Sequence, residues 1–154
     1  MKSFEAYKQQ QQIDELFARA SRLSADAEML SDWAKYLCVR VSGYIEESVR
    51  ILLREFVREK AEPRVVNYTE SRLVQFQNPK IGKIAELVGC FSQEWQDKLE
   101  SITTDEMKGA INSIVANRHQ IAHGRNVNIT IGRMKEYFIY IVKYIEALED
   151  IIQE

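Results

Sequence analysis

Between Ile131 and Ile152 the apolar residues Ile131, Met134, Phe138, Ile141, Ile145, Leu148 and Ile152 follow one another at steps of three and four without interruption. That spacing stacks side chains on one face of a helix and does not fit the two-residue alternation of a strand. The rest of the chain has the same grain. Proline occurs only at Pro63 and Pro79, and 154 residues hold six glycines, so few positions interrupt a helix. Strand-like alternation is weak everywhere, and an all-α fold is expected.

The elements can be placed in order. Ile13, Leu16, Ala20, Leu23, Ala27 and Leu30 keep the three-four step and predict a first helix from about Phe4 to Leu30. Ser31 is expected to cap a second helix carrying Trp33, Leu37, Val41, Tyr44, Ile45, Leu52 and Phe56, which Pro63 stops. The stretch from Pro63 to Asn78 is poorly patterned and suggests a short helix near Thr69 to Phe76. Asn78-Pro79 reads as an N-cap followed by an N1 proline, opening a helix through Ile81, Ile84, Leu87 and Val88. Ser92 starts a brief helix with Trp95 and Leu99. Thr103 or Thr104 caps the next helix, with Asp105 and Glu106 in its first turn, and Thr130 opens the last. The expected architecture is an up-and-down bundle of four long helices with one or two short extra ones, in a single domain spanning residues 1–154.

The second helix has unusual girth. Val39, Ser42, Glu46, Val49 and Leu53 form a second three-four row with Glu46 at its middle. A helix apolar on more than one face buries against several neighbours or a second subunit, and a homodimer is predicted.

Composition narrows the function classes. A formal net charge of −2 argues against a protein that coats nucleic acid through bulk charge. Distribution is more telling: from Met107 to Lys135 there is no Asp or Glu, while Lys108, Arg118, Arg125, Arg133 and Lys135 fall within that segment. No stretch approaches the roughly 18 apolar residues of a membrane span, and the amino terminus has no apolar leader core. Cys38 and Cys90 lie in apolar helical stretches with no metal-ligand spacing, which suits buried, reduced thiols in a cytoplasmic protein, with a disulfide between them as the open alternative.

The segment Asn117-Arg118-His119-Gln120-Ile121-Ala122-His123-Gly124 holds both histidines of the chain. Met107, Ile111 and Ile114 set a helix face whose step continues to Arg118 and Ile121, so a guanidinium is expected in an apolar packing slot. There it requires a carboxylate, a partner chain or a phosphate. Gly124 is expected to end the helix in the left-handed conformation. His119 and His123, four apart, share a face. A structural reading pairs Arg118 with Glu46 as a buried ion pair without function. Metal is the first chemical option, but Gln120 follows His119 where the HExxH pattern carries glutamate, and neither cysteine is placed as a third ligand. No metal or cofactor is expected. The second option is metal-free cleavage of RNA, in which histidine moves protons near neutral pH and arginine stabilises charge gathering on the phosphate.

These residues resemble a known family. Arg118 to His123 fits the Arg-x4-6-His motif of HEPN domains, with a polar residue, His119, directly after the arginine. Tyr44-Ile45-Glu46-Glu47 in the second helix, Asn78-Pro79 before the third and Arg-His-x-Ile-Ala-His-Gly closing the fourth are similar to the RiboL-PSP-HEPN branch. The resemblance implies a metal-independent endoribonuclease, often of toxin-antitoxin or antiphage systems. It further implies a homodimer whose two motifs converge at the two-fold axis, and products with a 2′,3′-cyclic phosphate. Carried over by position, Arg118 and His123 are the catalytic pair, His119 the polar auxiliary and Glu46 the carboxylate that orients the arginine. Arg125, Arg133 and Lys135 are expected to guide the RNA backbone. Some toxin members carry a tyrosine two residues past the histidine that a partner enzyme modifies; Arg125 stands there, so regulation through an antitoxin or other protein would take another route. The rival reading is a HEPN-like binding module without catalysis, docking a protein partner or RNA.

Overall fold

In the computed structural model, residues 2–24 and 26–154 are described. Seven helices follow in order: α1 (Phe4–Ser21), α2 (Ala27–Lys60), α3 (Pro63–Leu73), α4 (Ile81–Phe91), α5 (Gln93–Ile102), α6 (Asp105–Ala122) and α7 (Ile131–Gln153), with no strand among the described residues. The fold is all-α, as the periodicity predicts. Four helices are long, and three short ones, α3 to α5, lie between α2 and α6, where one or two were expected.

Three helix starts follow the local chemistry of a short polar side chain that precedes the apolar pattern. Ser92 accepts from the Trp95 amide at 3.2 Å, Thr104 from Met107 at 3.2 Å and Thr130 from Arg133 at 3.1 Å, each relieving one of the orphan amides of a first turn. Four boundaries differ from expectation. The first helix ends at Ser21 instead of reaching Leu30, and α2 starts at Ala27 under Asp26, whose carboxylate accepts from Met29 at 2.8 Å, so Ser31 is not the cap. Pro63 both stops α2 and opens α3 as a first-turn proline. Asn78 does not cap α4: its φ is +52°, Lys80 holds the cap position, and the Ile81 amide is satisfied by the side chain of Asn112 on α6 at 3.0 Å.

The long helices share one core. Leu37, Val41 and Ile45 of α2 are wholly buried with Ile111 and Ile114 of α6 and Ile141, Ile145 and Leu148 of α7. Phe138 links three helices, its ring 5.6 Å from Phe17 of α1 and 5.2 Å from Tyr44 of α2. The second apolar row of α2 is largely spent inside the chain: Ser42, Val49 and Leu53 are buried, Glu46 is half-buried, and only Val39 is exposed. Packing against α1, α3, α6 and α7 therefore accounts for most of that girth. Cys38 is buried, but Cys90 is exposed, contrary to the expectation for both thiols; each is free.

Two contacts fix helix direction. Tyr44 meets Phe138, and Ser3 binds both Glu55 of α2 and Glu149 of α7, so α2 and α7 run parallel. Lys108 of α6 shares a cavity with Tyr144 of α7, while Ala122 and Ile131 flank the short return, so α6 is antiparallel to both. No helix is long and apolar enough to cross a membrane among the described residues.

Candidate active site

The chemistry-bearing segment ends α6 in a tightly specified way. His123 is the C-cap, Gly124 follows at φ +68°, the Gly124 amide donates to Ile121 O at 3.0 Å, and the Arg125 amide donates to Gln120 O at 3.0 Å. This crossed pair is the Schellman motif, in which a left-handed glycine turns the chain back over the last turn and satisfies its carbonyls. Glycine was the expected residue at this point, and its conformation is the expected one. The closure holds His123 and Arg125 on either side of a rigid hinge, and Arg125 Nη1 adds a bond to Gln120 Oε1 at 3.0 Å.

The two imidazoles stand together. His119 and His123 have ring centroids 4.4 Å apart at an interplanar angle of 62°, as one-turn spacing dictates. Both are exposed, and so is Arg118. The guanidinium thus does not occupy the apolar slot that the spacing marked. Ile121 packs against the core at that end of the seam, while the arginine sends its head to water, which avoids burying an unpaired charge. Arg118 makes no ion pair or side-chain hydrogen bond among the described residues, and its charge is available to a ligand.

Glu46 is placed elsewhere. Its carboxylate lies 3.0 Å from Arg50, one turn along the same helix. Cys38 Sγ donates to Ile114 O at 3.5 Å and sets the register between α2 and α6. From that level Arg118 lies a turn toward the start of α2 and Glu46 two turns toward its end, about 18 Å apart along the axis at 1.5 Å per residue. Within one chain the buried Glu46–Arg118 pair does not form, and Glu46 does not orient Arg118.

The three expected backbone-guiding cations divide. Arg125 is tied to Gln120 as described. Arg133 lies 3.4 Å from Glu136 and over the Tyr137 ring, which neutralises part of its charge locally. Lys135 is exposed without an ion pair among the described residues. The structure adds two lysines that the sequence pattern did not single out. Lys80 and Lys83, at the start of α4, line a cleft of about 390 Å³ together with Asn78, Val115, Ala116, His119 and Gln120. Their only sequence signal is two lysines three apart at a helix start; that α6 lies against them is a tertiary fact.

At the opposite end of the bundle a cleft is lined by Glu55, Glu59, Glu149 and Glu154 with Lys60, beside Phe56 and Trp95, so acidic side chains outnumber basic ones there. Among the described residues no three His, Cys, Asp or Glu side chains gather as they would around a metal ion.

The chain is an all-α bundle whose penultimate long helix ends in an exposed Arg, His and His. The model of the RiboL-PSP-HEPN family matches residues 5–154, nearly the whole chain, and the protein belongs to that family. No curated protein matches it. Nor does any solved structure.

Proposed function

We propose that the protein is a metal-independent endoribonuclease in which Arg118, His119 and His123 act on one phosphodiester. The observation that carries the reading is their joint exposure on the last turn of α6, with the guanidinium unpaired and the imidazoles in contact. Family membership supports it, since HEPN domains are often ribonucleases.

The chemistry uses what RNA itself supplies. An imidazole removes the proton of the ribose 2′-hydroxyl, whose oxygen attacks the adjacent phosphorus. The guanidinium binds the non-bridging oxygens as negative charge builds there, and a second, protonated imidazole gives its proton to the departing 5′-oxygen. One P–O bond forms and one breaks, leaving a 2′,3′-cyclic phosphate and a 5′-hydroxyl. DNA lacks the nucleophile and is not cut. Arg118 and His123 are five apart around the end of α6, so a site that joins Arg118 of one subunit to His123 of a second copy lets both reach one phosphate. A homodimer through the motif-bearing face is accordingly part of the proposal, as is a cellular setting as a toxin or antiphage effector held in check by a protein partner.

The test is cleavage of mixed single-stranded RNA in EDTA by wild type, Arg118→Ala and His123→Ala. Cyclic-phosphate ends and a loss of at least about 100-fold in each variant are expected, in the range that removal of one charge-stabilising or proton-transferring group costs. Cleavage that survives both substitutions ends the assignment. Tight RNA binding with no cleavage by wild type at any pH establishes the non-catalytic module instead.

A further inference from the structure

We infer that the cleft between the start of α4 and the tail of α6 is a second binding site for single-stranded RNA, holding the backbone of nucleotides next to the one that is cut. The inference rests on the ribonuclease reading for its choice of ligand. Its walls come from elements far apart in sequence: Asn78, Lys80 and Lys83 on one side, Val115, Ala116, His119 and Gln120 on the other. None of these residues is acidic. Lys83 Nζ donates to Gln77 O at 3.0 Å, a neutral acceptor, and neither Lys83 nor Lys80 makes an ion pair among the described residues, so no carboxylate competes with a ligand for them.

Continuity with the candidate active site points to the strand that site would cut. His119 lines the cleft, and its ring touches that of His123, so a strand whose phosphate sits between Arg118 and His123 continues past His119 toward the two lysines. Val115 and Ala116 supply the apolar part of the lining, and the two lysines supply the charge that a phosphate backbone would meet. Arginine forks are absent from the lining, so the cleft would attract backbone charge and discriminate weakly among sequences.

The experiment measures binding of a labelled dozen-nucleotide single-stranded RNA carrying 2′-O-methyl groups throughout, which cannot be cleaved because the nucleophile is blocked. Fluorescence anisotropy over a salt series compares wild type, Lys80→Gln/Lys83→Gln and a control, Lys8→Gln/Lys143→Gln, which removes the same net charge from exposed positions elsewhere. Lys80 and Lys83 are exposed, and unchanged melting temperature verifies that the variant folds. Affinity is expected to fall about tenfold in Lys80→Gln/Lys83→Gln only, and the slope of log affinity against log salt to shrink by about 1.4, two phosphate contacts at roughly 0.7 each. Wild-type affinity and slope in that variant overturn the second site, as does a wild type that does not bind the RNA at all. If wild type cleaves unmodified RNA while the lysine variant binds normally, the second site falls alone. If wild type and control bind, the lysine variant does not, and nothing cleaves, the cleft stands and the nuclease reading falls.

Discussion

Arg50 ties Glu46 to the end of α3. Its guanidinium lies 3.0 Å from the Glu46 carboxylate and 3.4 Å from Glu47, and it donates to the carbonyl oxygens of Leu73 at 3.0 Å, Val74 at 3.1 Å and Phe76. With only 17% of its side chain exposed, Arg50 is the cap on the last turn of α3, and Glu46 is its counter-ion. Arg50→Met removes every one of those bonds and leaves the carbonyls unpaired, which is expected to cost about 3 kcal/mol in urea unfolding. Glu46→Gln removes one partly exposed charge and is expected to cost under about 1 kcal/mol. RNA cleavage by Glu46→Gln should stay within about twofold of wild type, since the carboxylate faces Arg50 and not Arg118; a loss matching that of Arg118→Ala would show that a second copy brings the two together.

The Schellman closure gives Gly124 a measurable role. At φ +68° a Cβ is disfavoured by about 1 to 2 kcal/mol, and a Cβ there would meet no atom within 4 Å, so the cost of Gly124→Ala is conformational alone. Gly124→Asn should lose less, because asparagine tolerates the left-handed region. Melting temperature is expected to drop by about 2 to 8 °C for alanine and less for asparagine. If the closure positions His123, cleavage by the alanine variant at a temperature where it is fully folded will fall further than that of the asparagine variant. Equal activities would separate the cap from the chemistry.

What could be read in advance, and what could not, divides along the range of the interactions involved. Ser92, Thr104, Thr130 and Gly124 act on amides or carbonyls within five residues of themselves, and each was legible from its neighbours. The break after Ser21 was hidden because Ala20, Leu23 and Ala27 keep helical step across it and neither glycine nor proline marks it. Asn78 misleads for the opposite reason: Asn-Pro has the chemistry of a helix start, yet the amide it should serve is served by Asn112, 31 residues on. Arg118 followed the apolar step by number, but a long side chain at the end of a seam can leave it. The pairing of Glu46 with Arg50 was visible as an i,i+4 charge pair; its place in an apolar row drew it instead toward a distant cation.

Burial makes the two thiols chemically distinct. Loss of water around Cys38 pushes its thiol from near 9 up to about 12, so it is protonated and unreactive at neutral pH, whereas Cys90 is exposed. Ellman's reagent at pH 8 should titrate one thiol in the native protein and the second only in denaturant; two thiols of equal native rate would contradict the packing. The same shift sets an alkaline limit. A folded-state value above the unfolded one means that the stabilisation is complete below about pH 9 and is lost as pH rises toward 12. Tyr44 and Tyr144, both raised by burial, act in the same direction at still higher pH. Melting temperature should therefore decline above about pH 9, less steeply in Cys38→Ala.

Subunit mixing tests whether Arg118 and His123 belong to one chain's site or to two. Suppose each site takes Arg118 from one subunit and His123 from its partner. A dimer with one Arg118→Ala chain and one His123→Ala chain then has one site lacking both groups and one site with both intact. Unfolding an equal mixture of the two inactive variants and refolding them together gives heterodimers as half of all dimers, each with one working site, so activity should recover to about a quarter of wild type. Sites built within single chains recover nothing, because every chain in the mixture lacks one group. Recovery together with a dimer in sedimentation places each cleaved phosphate between the two subunits, and its absence in a mixture that has demonstrably exchanged subunits removes the composite site.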